Sequence, residues 1–362
     1  MGYQKLISIE VKGYKSIKDQ VIPLNDMNVL IGQNGAGKTN FISLFKFLRN
    51  IITGKLKNTS LKAGAENLLY YGSKETERIS INLDFDPNYY YLSLQPTNNN
   101  DTLFVENETT GFRGTGYVDP YLEGITNSEE ESTLEIKSKR RPTARYVFDV
   151  LNEWRVYHFH DTSESAGVKK YASMADNKFL FEDASNLAPF LYLLKHTQEE
   201  YYKRIVKTVQ LVIPFFKDFL LEPNPFNPEN IRLEWNDIYS EKTFSANEFS
   251  DGSLRFICMA TLLLQPDLPK VILLDEPELG LHPSAITILA GLLKKASNRS
   301  QVIVSTQSVS LVNDFDAEDI IVVEKFQAET VFKRLNPADL EDWLNDYSLG
   351  ELWDKNILGG KP

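Results

Sequence analysis

The stretch that most constrains this chain is MNVLIGQNGAGKTNF, which begins at Met27 and ends at Phe41. Val29, Leu30 and Ile31 form an apolar run with strand character, and the eight residues after them are Gly32, Gln33, Asn34, Gly35, Ala36, Gly37, Lys38 and Thr39. They fit G-x-x-x-x-G-K-[ST] at each fixed position, before an amphipathic helix. Such a loop is a phosphate cradle. Gly35 and Gly37 let backbone N–H groups turn inward without a Cβ clash, and Lys38 is placed to pair with β- and γ-phosphates. The Thr39 hydroxyl is the expected Mg²⁺ ligand at the helix start, and Asn40 joins the same cofactor-binding set.

Composition narrows the setting. Hydrophobic residues make up 42%, charged residues 25% and aromatics 12% of 362 residues, as in a folded globular protein. The chain has no apolar run of the ~18 residues a membrane span needs, and MGYQKLISIEVKG lacks a secretory layout, so a cytoplasmic protein is expected. Lys5 and Leu6 stand where acylation at Gly2 wants a small hydroxyl residue. Cys258 is the single cysteine, which excludes an internal disulfide, and its surroundings in FICMATLLL make it a core residue. His158, His160, His196 and His282 are too scattered for a metal centre. A net charge of −11 argues against a surface that grips nucleic acid throughout, though it leaves room for a local basic patch.

Alternation predicts strands over 5–11, 21–24, 27–31 and 79–85, and helical spacing predicts a helix from Lys38 to about Ile52. From Pro87 to Arg145 the character changes to asparagines, glycines and an acidic run at Glu129, Glu130 and Glu131; hairpins and loops on a sheet edge are expected there. Lys137, Lys139, Arg140, Arg141 and Arg145 then place five cations in nine residues, either a solvated face balanced by nearby glutamates or a phosphate-backbone contact. Apolar spacing from Asn186 to Leu221 predicts two helices, with Pro214 and the Pro223–Pro228 segment punctuating their end, and IRLEW with EKTF reads as a β-hairpin. There is no sustained heptad pattern and no internal repeat.

A second constellation lies in the C-terminal half. Val271, Ile272, Leu273 and Leu274 form a buried strand ending in Asp275 and Glu276. Carboxylates at the end of a parallel strand face the crevice where a doubly wound sheet binds ligands. Asp275 is the expected Mg²⁺ partner across from Thr39, and Glu276 the general base for an attacking water. Upstream, Ser250, Asp251, Gly252 and Ser253 open a helix-like run, an arrangement that serves as an anion site or as a plain N-cap. Gln307 ends the strand QVIVSTQS, within reach of a γ-phosphate.

In this order, the glycine loop, S-D-G-S, LLDEPELGLHP and STQS resemble the ABC-type ATPase heads of the RecF/SMC/OLD group, within the broad AAA family of bacterial ATPases. The resemblance covers roughly residues 1–85 and 245–325, with echoes in VKGYKSIKD and WRVYHFHDTS. It implies an α/β P-loop NTPase of ABC type: a two-lobed head with an N-terminal mixed sheet, an inserted hairpin region and a helical subdomain. The expected divisions are 1–90 for the N-terminal lobe, 91–185 for the insertion and return, 186–225 for a helical arm, and 226–362 for the C-terminal lobe.

The resemblance also implies roles. Ser250 to Ser253 matches the signature that touches the γ-phosphate held by a second subunit, Glu278 to His282 matches the loop at the dimer face, and Gln307 takes the switch position. Lys15 and Ser16 resemble the N-terminal loop resting against the nucleotide phosphates, and His160 or Asp161 stands where the loop joining the lobes belongs. Asp251 replaces the usual first glycine of the signature and Gln307 the usual histidine, so slow hydrolysis is expected. About 55 residues follow Gln307, too few for the nuclease domain of OLD-type relatives. The implied protein is a Mg²⁺-dependent ATPase that closes as a homodimer over two ATP molecules and acts in DNA maintenance or defence against foreign DNA, with a nuclease or effector as partner. The alternatives are a nucleotide-binding subunit of a membrane transporter and an ATP-dependent scaffold for an effector.

Overall fold

The computed structural model describes residues 5–97, 101–116 and 119–361; Met1, Gly2 and the polar Asn98, Asn99 and Asn100 lie outside them. The chain opens with strands β1 (Ser8–Tyr14), β2 (Ile17–Pro23) and β3 (Met27–Ile31), then helices α1 (Lys38–Ile52), α2 (Leu56–Ala63) and α3 (Ala65–Leu68). Strands β4 (Ile79–Asp84), β5 (Asn88–Pro96), β6 (Leu103–Phe112) and β7 (Tyr121–Glu129) precede helices α4 (Leu134–Ser138) and α5 (Pro142–Asn152). Next come β8 (Trp154–Tyr157), β9 (Ala172–Ser173), α6 (Leu187–Thr197), α7 (Glu199–Val212), β10 (Phe216–Leu220), β11 (Asn230–Ile231), β12 (Glu234–Asp237) and β13 (Thr243–Ser245). The last part holds α8 (Asp251–Leu264), β14 (Val271–Asp275), α9 (Pro283–Ser297), β15 (Gln301–Thr306), α10 (Val309–Val312), β16 (Ile320–Phe326), β17 (Glu329–Arg334), α11 (Glu341–Leu344) and α12 (Leu349–Asp354).

The site is built on a six-stranded sheet of order β17-β16-β3-β15-β14-β8, parallel except for the edge strand β17. β3 is buried at all five positions, as a parallel strand covered on both faces must be. Its alternate residues feed two cores: Val29 and Ile31 pack with α6 to α9, and Leu30 packs with α1 and the second sheet. That second sheet, of order β2-β1-β4-β5-β6-β7, is antiparallel, and β4 alternates buried and half-buried residues through ISINLD. Helix α1 joins the layers through Phe41, Leu44, Phe45 and Leu48, with the Phe45 ring 4.8 Å from that of Trp154.

The hairpins expected after Pro87 are β5 to β7, added to the sheet beyond β4, but 134–145 is largely helical rather than loop. Pro142 stands at the first turn of α5, and Ala144, Val147, Val150 and Leu151 then form its buried stripe. Phe216 likewise begins β10 instead of ending a helix: α7 stops at Val212, two residues before Pro214. Among the described residues, no helix is long and apolar enough to cross a membrane.

The basic run is partly engaged within the fold. Lys137 donates to the Ile125 carbonyl, and Arg141 donates to the Gly124 carbonyl at 2.8 Å and faces Glu123 at 3.4 Å. Glu130 and Glu131 turn to α2, where Glu131 accepts from the amides of Leu56 (2.7 Å) and Lys57 (3.0 Å). Arg141 and Arg145 face Glu123 and Asp149 rather than the acidic run at 129–131.

Candidate nucleotide site

The glycine loop leaves β3 through positions where a side chain does not fit. A Cβ on Gly32 would lie 2.1 Å from the Val323 carbonyl oxygen, and one on Gly37 would lie 2.3 Å from Thr330 Oγ1. Gly37 also has φ +118°, the left-handed side that L residues avoid. Behind the loop, Thr330 of β17 is fully buried. Its hydroxyl donates to the Ala36 carbonyl at 2.8 Å and lies 2.7 Å from Ser16 Oγ, which also accepts from Asn40 Nδ2 at 2.8 Å. Thr330, Ser16 and Asn40 thus hold the loop from outside. Lys15, in the β1–β2 turn, donates instead to Ser43 on α1 at 2.9 Å. Thr330 belongs to no motif; only its seat on the edge strand beside the loop reveals it.

Lys38 is 5% exposed and donates to the carbonyls of Gly32 and Gln33. Burial pulls its ammonium below the ordinary lysine value, opposed by the charges of Glu276, Asp275 and Glu278. Sheet order brings the other groups to it. β15 lies between β3 and β14, so Gln307 emerges between the glycine loop and the two carboxylates. Thr39 Oγ1 is 3.4 Å from Asp275 Oδ2, and Gln307 Nε2 donates to Glu276 Oε1. Glu276 itself has φ +44°, a strained value for a non-glycine residue, and its amide donates to the Ser305 carbonyl at 2.7 Å. Asn34, Gly35, Gly37, Lys38, Thr39, Asn40, Glu276 and Gln307 line one cavity of about 110 Å³.

A hydroxyl and a carboxylate on opposite sides of a phosphate cradle suit Mg²⁺, which takes few protein oxygens and completes its shell with phosphate and water. Among the described residues, no group of three or more His, Cys, Asp or Glu side chains could hold a metal by itself. The donor set therefore fits a metal brought with a nucleotide.

Glu278, expected only as part of a loop, is a structural member of this site. It is 8% exposed, accepts from the Thr306 hydroxyl and receives the Gln307 amide at 3.4 Å, while its second carboxylate oxygen is buried without a hydrogen-bond partner among the described residues. Burial raises its carboxyl above the ordinary value. It fixes the end of β15 from which Gln307 projects.

The S-D-G-S segment stands apart. Ser250 caps α8, accepting from the Ser253 amide at 3.1 Å, and a Cβ on Gly252 would lie 2.2 Å from the Gly280 carbonyl oxygen. Arg255 donates to the carbonyls of Leu279 at 2.8 Å and His160 at 2.9 Å, tying α8 to both neighbouring loops. None of Ser250, Gly252 and Ser253 lines the cradle cavity. His160 meets Arg255 through its backbone, and Asp161 accepts from Ser163 at 2.7 Å. His158 follows Tyr157, the β8 residue paired with Leu274, and its amide donates to the Glu182 carbonyl at 2.9 Å.

Residues 27–313 match the family described as "AAA domain, putative AbiEii toxin, Type IV TA system". The chain belongs to that family. It resembles the ABC-type ATPases of the RecF/SMC/OLD group through the following relative and fold neighbour. An OLD nuclease of Thermus scotoductus is 24% identical over 383 residues, covering 96% of this chain and 68% of that protein. An ATP/GTP phosphatase of Helicobacter pylori is 22% identical over 304 residues, 78% of each. An SMC head solved with the C-terminal winged-helix domain of ScpA superposes with a TM-score of 0.56 at 17% identity, covering 93% of this chain and 99% of that one, a likeness of fold.

Proposed function

We propose that this ATPase is a dimerisation switch: ATP closes two copies head to tail, and hydrolysis releases them. The observation that carries this is the division of the site. Lys38, Thr39, Glu276 and Gln307 share one cavity, whereas the anion-binding start of α8 lies outside it and stays available to a nucleotide held by a second copy. Glu276 is the base for the attacking water, oriented by Gln307, and Lys38 trades its loop carbonyls for β- and γ-phosphate oxygens when ATP enters. Thr39 and Asp275 would hold Mg²⁺ brought with the nucleotide, which would supply positive charge against the β- and γ-phosphates.

Action on DNA, in maintenance or defence and with a nuclease or effector partner, is the output we assign; the OLD nuclease relative supports it by name. The test is ATP turnover by purified protein with and without duplex DNA. Mg²⁺-dependent turnover stimulated by duplex and lost in Lys38→Ala supports the reading. Turnover that ignores DNA removes the assigned output, and turnover that survives Lys38→Ala removes the site.

A further inference from the structure

A lysine-lined groove lies behind the cradle, between α1, α2 and the β1–β2 turn. Its volume is about 620 Å³, and Lys15, Lys46, Lys55 and Lys62 line it together with Asn50, Asn58 and Thr59. Among the described residues, no carboxylate lines it. On α2 and its N-cap the polar lining residues fall at 55, 58, 59 and 62, the i, i+3, i+4, i+7 spacing of one helix face, and Lys46 and Asn50 stand one turn apart on α1. The floor is apolar: Tyr14 stacks on Phe47 at 5.6 Å, and Leu68 closes the end.

The charge pattern is what needs explaining. The chain carries 50 acidic against 39 basic residues, and some lysines elsewhere pair with carboxylates, among them Lys12 with Glu10 at 2.9 Å and Lys18 with Glu329 at 2.8 Å. Even on α2, Lys57 points out of the groove and pairs with Glu130 at 2.9 Å, while Glu131 takes the first amides of the helix. Acidic partners are thus at hand on that side. Among the described residues, Lys46, Lys55 and Lys62 have neither an ion pair nor a hydrogen bond through their side chains. Three unpaired ammoniums and three neutral polar side chains converging on one groove of an acidic protein attract an anion with several charged centres.

We propose that this groove is a second phosphate site, separate from the cradle, for a ligand carrying two or more phosphate groups. The cations are point charges spaced along two helices rather than a closed cage of backbone amides, so they suit successive phosphates of a strand or of a free oligophosphate. Lys15 lines this groove and also the neighbouring cavity that contains Ser16 and Asn40, so an occupant touches the turn that steadies the glycine loop. The inference does not rest on ATP turnover, because Lys46, Lys55 and Lys62 are absent from the cradle lining.

The experiment compares Lys38→Ala with the same protein carrying Lys46→Gln, Lys55→Gln and Lys62→Gln, so that the cradle lysine does not compete. The three lysines are exposed, and an unchanged melting temperature and circular dichroism spectrum verify the fold. The probes are a labelled short DNA duplex and inorganic tripolyphosphate. The expected result is salt-sensitive binding that weakens at least about tenfold in the groove variant, with the salt slope for the duplex falling by about 0.9 for each phosphate that is no longer neutralised. Loss of duplex binding alone assigns the groove to a nucleic-acid backbone; loss of tripolyphosphate binding alone assigns it to a free oligophosphate. Binding of neither probe by Lys38→Ala, or equal binding by both proteins, overturns the proposal.

Discussion

Thr330→Val isolates the contribution of a residue outside every motif. The substitution keeps the branched shape and removes one hydroxyl, at a fully buried position where that oxygen lies 2.8 Å from the Ala36 carbonyl and 2.7 Å from Ser16 Oγ. Leaving a buried acceptor unpaired costs about 1–3 kcal/mol. Part of that cost is expected as lost stability. The rest falls on the loop, because Ala36 and Gly37 are the residues that Thr330 holds in place. Calorimetric titration with a non-hydrolysable ATP analogue and Mg²⁺ should show affinity reduced about tenfold, equivalent to about 1.4 kcal/mol. Thr330→Ser keeps the oxygen and should retain most of the affinity. If the valine variant binds the analogue as tightly as the parent and melts at the same temperature, Thr330 does not steady the cradle.

Other outcomes follow from single contacts. Gly252→Ala puts a methyl against the Gly280 backbone, so stability should fall by about 1–3 kcal/mol in urea unfolding. Turnover should be lost while analogue affinity is kept, since Gly252 is not part of the cradle cavity. Burial raises the Glu278 carboxyl above 4.5, so the folded chain holds a proton that the unfolded chain releases. That contribution is complete below pH 4.5 and is lost as pH rises through the folded value; Glu278→Gln should flatten this part of the melting-temperature profile. The Cys258 thiol is fully enclosed and pushed up to about 12, so a disulfide reagent at neutral pH should find no reactive thiol in the native protein and one after unfolding.

The cradle is legible in the sequence because its chemistry is contiguous. The strand, glycines, lysine and threonine lie within a single stretch, and the helix from Lys38 to Ile52 follows from the apolar spacing within it. Asp275 and Glu276 end an apolar strand, a weak signal alone that becomes readable only beside the glycine loop in the same chain. Thr330 and Glu278 are not, because their roles depend on strand order: β17 reaches the loop only through β16, and Glu278 meets Thr306 across the ends of β14 and β15. In α5 a run of cations masks the helix, while the stripe of Ala144, Val147, Val150 and Leu151 carries its period.

The division of the site between two copies is tested most directly by the mass of Glu276→Gln with saturating ATP and Mg²⁺, measured by light scattering after size exclusion. On the proposed two-subunit reading, removing the base should leave ATP in the cradle with the start of α8 from a second copy closed over it. The expected species is a dimer with ATP and a monomer without nucleotide, and the dimer should disappear when Lys38→Ala is added. A Glu276→Gln protein that binds ATP and remains monomeric would contradict the two-subunit clamp.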